Sequence, residues 1–215
     1  MTEKAPSQSE ATSIGIVDYG MGNRRSVEKA FERVGATVRL TSDHDVLRAA
    51  DGIVVPGVGA YPEAMRRLRE QGLDELIRER AEQRVPVIGL CLGMQLLYEG
   101  SDEFGSTEGL GLLRGRVRQL DATGLKLPHI GWHRVRFERS TPLTPESGGE
   151  AYYHVHSFAA ERSPDAIGFG EYGGEFVSVA ARDNVFGCQF HPEKSSHAGL
   201  ALLRSFTQLC ARVPA

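Results

Sequence analysis

Through the first hundred positions the apolar residues fall in short continuous runs, each followed by a stretch with helical spacing. Ser13 to Asp18 (Ser-Ile-Gly-Ile-Val-Asp) predicts a buried strand, and Val27, Ala30, Phe31 and Val34 then mark one helix face ahead of Gly35, a cap. Thr37 to Leu40 and Gly52 to Val55 predict two more strands, with a helical segment around Asp43 to Ala50 between them. Ala60, Ala64 and Leu68, then Leu73, Leu76 and Ile77, make two amphipathic runs leading to a strand over Pro86 to Leu90. Apolar strands alternating with helices imply a parallel sheet covered on both faces and joined by right-handed crossovers. In such sheets the ligand site lies at the carboxyl ends of the strands.

After Gly100 the rhythm changes. Gly109 to Leu120, Leu127 to Phe137, Ala151 to Phe158, Glu175 to Ala181 and Asn184 to Phe190 read as strands joined by Gly-, Pro- and Ser-containing turns. They predict a mixed or antiparallel extension of the same sheet. A last helix over Ser196 to Arg212 puts Leu200, Leu203, Phe206 and Leu209 on one face, with Ser195 or Ser196 as its N-cap. The expected fold is α/β, a largely parallel central sheet flanked by helices. One domain is expected over 14–215, after a polar, solvated tail at 1–13.

Composition narrows the function. The 215 residues, 40% hydrophobic, suffice for one sizeable core. Net charge is −3 and the cations are scattered among acids, so nucleic acid is not an expected partner. Cys91, Cys188 and Cys210 are an odd number at wide spacing, which fits a reducing cytoplasm better than a disulfide framework, and Cys188 and Cys210 read as core residues. No apolar run approaches the ~20 residues of a membrane span, and Met1 to Ser13 lacks the apolar stretch of a secretion signal. The histidines show no metal-ligand spacing with the cysteines, so neither metal nor cofactor is expected.

Three stretches carry candidate chemistry. In Val85 to Gly100 a strand-like run meets a helix-like run at Cys91, flanked symmetrically by Gly89 and Gly93. That spacing is the one a nucleophile elbow needs, a strand-to-helix turn so tight that only small neighbours fit. A cysteine there sits at a helix N-terminus, where unpaired N–H groups favour the reactive thiolate. The competing reading is a structural cysteine beside a core strand. His191-Pro192-Glu193 ends the last strand and offers a base with a carboxylate to orient it. Pro56-Gly57-Val58-Gly59-Ala60 follows the Gly52 to Val55 strand, and its glycines free the backbone to aim N–H groups at an oxyanion. Leu92 N–H would be one donor and an N–H near Val58 or Gly59 the other, against the competing reading of a plain Pro-Gly turn. Asp18-Tyr19-Gly20-Met21-Gly22-Asn23 imitates a dinucleotide fingerprint but has Arg25 at the third glycine position, which rules that site out.

Gly-Leu-Cys91-Leu-Gly-Met-Gln together with His191-Pro-Glu-Lys-Ser-Ser resembles the class I, triad-type glutamine amidotransferases. The resemblance extends from Ile14 to the final helix and is strongest to the glutaminase subunits of imidazole glycerol phosphate synthase. Met94 helps to choose that branch, since anthranilate-synthase and carbamoyl-phosphate relatives commonly carry His there. It implies a flavodoxin-like fold in which Cys91 is the nucleophile, His191 the base and later the acid, and Glu193 the residue that orients His191. It further implies that Gly57, Gly59, Gln95, His156, Ser157 and Phe158 hold L-glutamine. Asp18, Tyr19, Asn23, Trp132 and Lys194 match positions that face a separate (β/α)8-barrel cyclase subunit, which takes up the ammonia. Two places depart from the family pattern: His133 stands where Asn is usual, and Phe158 where Tyr is usual. An amidotransferase subunit of another pathway, such as anthranilate synthesis, and a non-catalytic flavodoxin-like domain with a redox-sensing Cys91 are the alternatives.

Overall fold

The computed structural model describes residues 11–144 and 149–212. The first part of the chain runs β1 (Ser13–Val17), α1 (Arg24–Arg33), β2 (Thr37–Thr41), α2 (His44–Arg48), β3 (Gly52–Val55), α3 (Tyr61–Glu70), α4 (Leu73–Glu82), β4 (Val87–Leu90) and α5 (Leu92–Leu96). Short strands follow: β5 (Gly100–Ser101), β6 (Thr107–Glu108), β7 (Arg116–Gln119), β8 (His129–Arg134), β9 (Arg136–Phe137), β10 (Ala151–His156) and β11 (Phe158–Ala160). The chain closes with β12 (Ala166–Glu171), β13 (Glu175–Arg182), β14 (Val185–Cys188), a single 3₁₀ turn at Pro192–Lys194 and α6 (Ser196–Cys210). Of the expected tail, residues 1–10 lie outside the described residues, and Ser13 already belongs to β1.

An eight-stranded sheet in the order β2-β1-β3-β4-β14-β13-β12-β9 carries the structure. Its pairs from β2 to β14 are parallel, and those from β14 to β9 are antiparallel. The side-chain period of two sends Val17 and Ile53 to one face and Ile16 and Val54 to the other, which is why the strands read as unbroken apolar runs. On the first face Met65, Leu76 and Leu96 cover the sheet, and on the second Phe31 and Phe206 meet edge to face at 6.1 Å. Each such side chain adds about 1.5–3 kcal/mol on burial. Cys188 and Cys210 are buried in the second cluster, as expected.

The second half departs from the expectation in three ways. β8 and β10 pair only with each other, and β11-β7-β5-β6 form a third sheet, so much of the predicted extension is split off the main sheet. Gly109 to Gly115 is not strand: Leu110 N–H donates to Leu96 O and Leu113 N–H to Leu97 O, closing the open end of the short helix α5. Third, β12 was missed because Gly168 and Gly170 interrupt its apolar signal. Phe176 packs where a Cβ on Gly170 would stand, 2.4 Å away, so the glycine makes room for the neighbouring strand. In α6 the buried stripe is Ala198, Leu202, Leu203, Phe206 and Cys210, while Leu200 and Leu209 are only half-buried.

Candidate active site

The elbow forms at the carboxyl end of β4. Cys91 holds φ +54° and ψ −114°, a region that costs a non-glycine residue about 1–3 kcal/mol, and α5 begins at the next residue. Both flanking glycines are required by close backbone approach. A Cβ on Gly89 would lie 2.5 Å from Gly93 O, and one on Gly93 would lie 1.8 Å from Val55 O. Cys91 N–H donates to Cys188 O at 2.8 Å, which carries the parallel β4–β14 pairing one step past the strand and brings the end of β14 beside the sulfur.

His191 arrives on that end. Its N–H donates to Tyr153 O at 2.9 Å, while Ser195 Oγ donates to His191 O at 2.6 Å and accepts from Tyr153 N–H at 2.9 Å. Ser195 occupies the N-cap position of α6, but its side chain makes these bonds instead of capping the helix. The 3₁₀ turn after Pro192 folds Glu193 back, so that His191 Nδ1 lies 2.9 Å from Glu193 Oε1, with both side chains buried. Glu193 Oε2 is buried without a hydrogen-bond partner. Burial opposes charge on His191, yet hydrogen bonding to Cys91 and to Glu193 outweighs it, and its pKa is raised to about 10. His191 therefore carries a proton at neutral pH, with Nδ1 held by Glu193 and Nε2 left for the sulfur.

Cys91 and His191 open on a pocket of about 310 Å³. Val58, Gly59, Leu92, Gln95, His156, Ser157 and Phe158, expected to hold the oxyanion or the substrate, all line it. Gly57 does not. It is buried behind the loop, where a Cβ would lie 2.8 Å from both Gly93 N and Tyr19 Oη. Leu92 N–H is the first donor of α5 and has no acceptor within the helix. Gly59 holds φ +103°, a glycine conformation that shapes the loop turning into α3.

The five residues expected to face a partner divide. Trp132 is 53% exposed on β8, next to Ile130 at 58% in the same strand, and Lys194 is exposed at the pocket rim. Asp18 and Asn23 are half-buried, Asp18 pairing with Arg24. Tyr19 is a correction: it is buried, and its hydroxyl donates to Pro56 O at 2.5 Å, so it props the Pro56–Gly59 loop from within and offers no surface.

Glu103 was missed. It brings a carboxylate to the pocket wall from the turn between β5 and β6, and its Oε2 accepts from Tyr61 N–H at 2.8 Å. In sequence it stands in Asp-Glu-Phe-Gly-Ser, which reads as a solvated turn, and no spacing links it to Cys91. Gln95 is also more constrained than expected. Its Nε2 donates to Phe158 O at 2.8 Å and to Gln189 Oε1 at 3.0 Å, so both amide hydrogens are engaged and only Oε1 remains for a ligand. Phe158 O accepts from Gln95 and, at 2.9 Å, from His156 Nδ1, so this carbonyl has no free lone pair for substrate.

Behind this wall lies an imidazole cluster. His156 Nε2 lies 3.1 Å from His129 Nδ1, and His154 joins Tyr152 O and Ser178 Oγ. His133, one of the two departures from the family pattern, packs edge-on against His129 at 4.3 Å. Burial depresses the pKa of His154 to about 2, of His156 to about 3 and of His129 to about 4, neighbouring imidazoles adding to the effect. All three are neutral at physiological pH.

The α/β sheet with Cys91, His191 and Glu193 gathered at its carboxyl edge fits the triad class that the sequence resembles, and the chain belongs to the class-I glutamine amidotransferase family, whose model matches residues 15–209. Among individual proteins it is 45% identical to imidazole glycerol phosphate synthase subunit HisH of Listeria innocua serovar 6a over 91% of this chain and 95% of that one. It is 48% identical to the subunit of the same name from Moorella thermoacetica, over 91% and 94%. PurLQS from Thermotoga maritima shares the fold with a TM-score of 0.73 at 22% identity, over 93% of this chain and 99% of that one. The glutaminase domain of Trypanosoma brucei CTPS, with bound acivicin, does so at 0.68 and 18%, over 95% and 96%.

Proposed function

We infer that this chain is the glutaminase subunit of imidazole glycerol phosphate synthase, which hydrolyses L-glutamine and supplies ammonia for histidine biosynthesis. The observation that carries the reading is the convergence in one pocket of Cys91, on a strained strand-to-helix elbow, with the buried His191–Glu193 couple. Cys91 attacks the γ-amide carbon of glutamine. The oxyanion that forms takes the N–H of Leu92 and, from the Pro56–Gly59 loop, that of Val58 or Gly59. His191, protonated at neutral pH, gives its proton to the departing nitrogen and leaves a γ-glutamyl thioester. Water then attacks the thioester while His191 takes up its proton, releasing glutamate and restoring the sulfur. Glu193 holds the imidazole by Nδ1 throughout. The reaction needs no metal or cofactor.

The substrate's α-ammonium group fits the acceptors of the pocket, the Glu103 carboxylate and Gln95 Oε1, since the Gln95 amide hydrogens are engaged elsewhere. Its α-carboxylate would take N–H groups along Ser157 and Phe158. The ammonia acceptor is a (β/α)8-barrel cyclase subunit, docked over the exposed Trp132 and Ile130, with Lys194 at the pocket rim between the two proteins. Residues 14–215 act as one domain in the cytoplasm. Among the described residues no helix is long and apolar enough to cross a membrane. The test is a glutaminase assay with and without the cyclase and its nucleotide substrate. Glutamate should form and depend on Cys91; turnover by Cys91→Ala in the complex would sink the assignment.

A further inference from the structure

We propose that Gln189 is a positioning residue for the nucleophile, aiming an amide N–H at the Cys91 sulfur through a buried hydrogen-bond chain anchored on the Phe158 carbonyl. The proposal rests on the glutaminase reading and adds to it a residue outside the Cys91, His191, Glu193 set. Gln189 is fully buried, and its backbone N–H donates to Ser178 O at 2.8 Å, which fixes it within the β13–β14 pairing beyond the last strand residue.

The direction of its amide follows from donor and acceptor logic. Phe158 O can only accept, so the Gln95 atom 2.8 Å from it is the amide nitrogen. That same nitrogen lies 3.0 Å from the side chain of Gln189, which must therefore present its oxygen there; reversed, two NH₂ groups would face each other in a buried site. The Gln189 nitrogen is thereby turned to Cys91 Sγ, 3.9 Å away. Phe158 O also accepts from His156 Nδ1, so His156 cannot compete for the Gln95 nitrogen and instead holds the anchor from the other side.

The sulfur has a particular need of this donor. Val155 O lies 3.8 Å from Cys91 Sγ, an acceptor that suits a thiol and opposes a thiolate. The attacking species is the thiolate, and beside His191 the Gln189 N–H is a second donor at the sulfur, one that offsets the carbonyl. Gln189 thus acts through Cys91 and touches no substrate atom, being absent from the pocket lining.

The test uses the complex with the cyclase and two variants. Gln189→Met removes the donor while keeping an unbranched side chain. Gln189→Glu keeps the acceptor for Gln95 and places a carboxylate oxygen against the sulfur. The expected result is a kcat/KM for glutamine about tenfold lower in Gln189→Met and lower again in Gln189→Glu, with the loss in kcat. With it, the acid limb of the pH profile moves to higher pH and alkylation of Cys91 by iodoacetamide at pH 7 slows, neither of which follows from a purely structural role. A folded variant with an unmoved acid limb and unchanged alkylation overturns the proposal, as does a loss confined to KM. Failure of both variants to fold marks Gln189 as structural and overturns it too. Loss of the glutaminase reading itself is separate, and would show as wild-type-like turnover in Cys91→Ala.

Discussion

Replacing Gly93 with alanine should break the elbow without removing Cys91, His191 or Glu193. The added Cβ would lie 1.8 Å from Val55 O and 2.7 Å from Val55 C, where real Cβ contacts are essentially never under 3.0 Å. The atoms in the way are backbone of β3, paired in parallel with β4 and β1, so β3 cannot rotate aside as a side chain would. Relief requires α5 to move by about 1.2 Å away from β3. Overpacking of this kind costs about 1–3 kcal/mol, which in a chain of this size lowers the melting temperature by roughly 2–12 °C. The catalytic effect is larger. Leu92 N–H opens the same helix and Cys91 caps it, so a 1 Å displacement moves both nucleophile and oxyanion donor, at about a hundredfold in rate. Glutaminase kcat/KM in the cyclase complex, measured with a thermal melt of the same preparation, checks both numbers. Activity within about twofold of wild type would refute the argument that Gly93 is demanded by backbone contact.

Glu103→Gln should raise KM for glutamine about tenfold with little change in kcat, because it removes a charge from ground-state binding; steady-state kinetics decide, and an unchanged KM removes Glu103 from ammonium recognition. Stability should peak near neutral pH. His129, His154 and His156 have depressed folded pKa values, so their contribution is full above the unfolded value of about 6.5 and is lost as pH falls toward about 4 and below, at about 1.4 kcal/mol per pH unit for each. His191, raised to about 10, contributes fully below about 6.5 and loses that contribution as pH rises through 10. Melting temperatures from pH 4.5 to 9 test this, and a flat curve between pH 7 and pH 4.5 contradicts it. Trp132→Ala should weaken cyclase binding by about 2 kcal/mol or more while the isolated chain melts as before, read by titration calorimetry; an unchanged affinity places the interface elsewhere.

The two halves of the chain differ in how far they were legible. In β1, β3 and β4 each strand is buried on both faces and each helix follows within a few residues, so local pattern and tertiary role agree. After Gly100 that agreement fails, because Gly109 to Gly115 spends its backbone hydrogen bonds on the end of α5 and β8 pairs with β10 rather than with the main sheet. No local period reports a choice of partner. Cys91, His191 and Glu193 were readable since each sits in a backbone setting that restricts residue type: a glycine-flanked elbow, a strand end, a proline-started turn. Glu103 and Tyr19 were not, one standing in an ordinary polar turn and the other buried by a contact with Pro56 in the loop after another strand.

The least legible part of the site is the layer behind it, and it decides what the pocket residues can do. Gln95 read from sequence is an amide with two donors and an acceptor to offer. In the structure both donors face inward, to Phe158 O and Gln189 Oε1, so the residue offers the pocket an acceptor alone. Phe158 lacks the hydroxyl usual in the family, yet the group that anchors the layer is its carbonyl, which any residue at that position would supply. The replacement therefore leaves this anchor intact, because it changes the side chain and not the backbone. By the same logic, Phe158→Tyr should leave kcat little changed, whereas His156→Phe, which removes one of the two donors at that carbonyl, should loosen the wall and raise KM for glutamine. Steady-state kinetics on the two variants distinguish the cases, and the reverse ranking would show that the aromatic side chain, not the carbonyl, holds this side of the pocket.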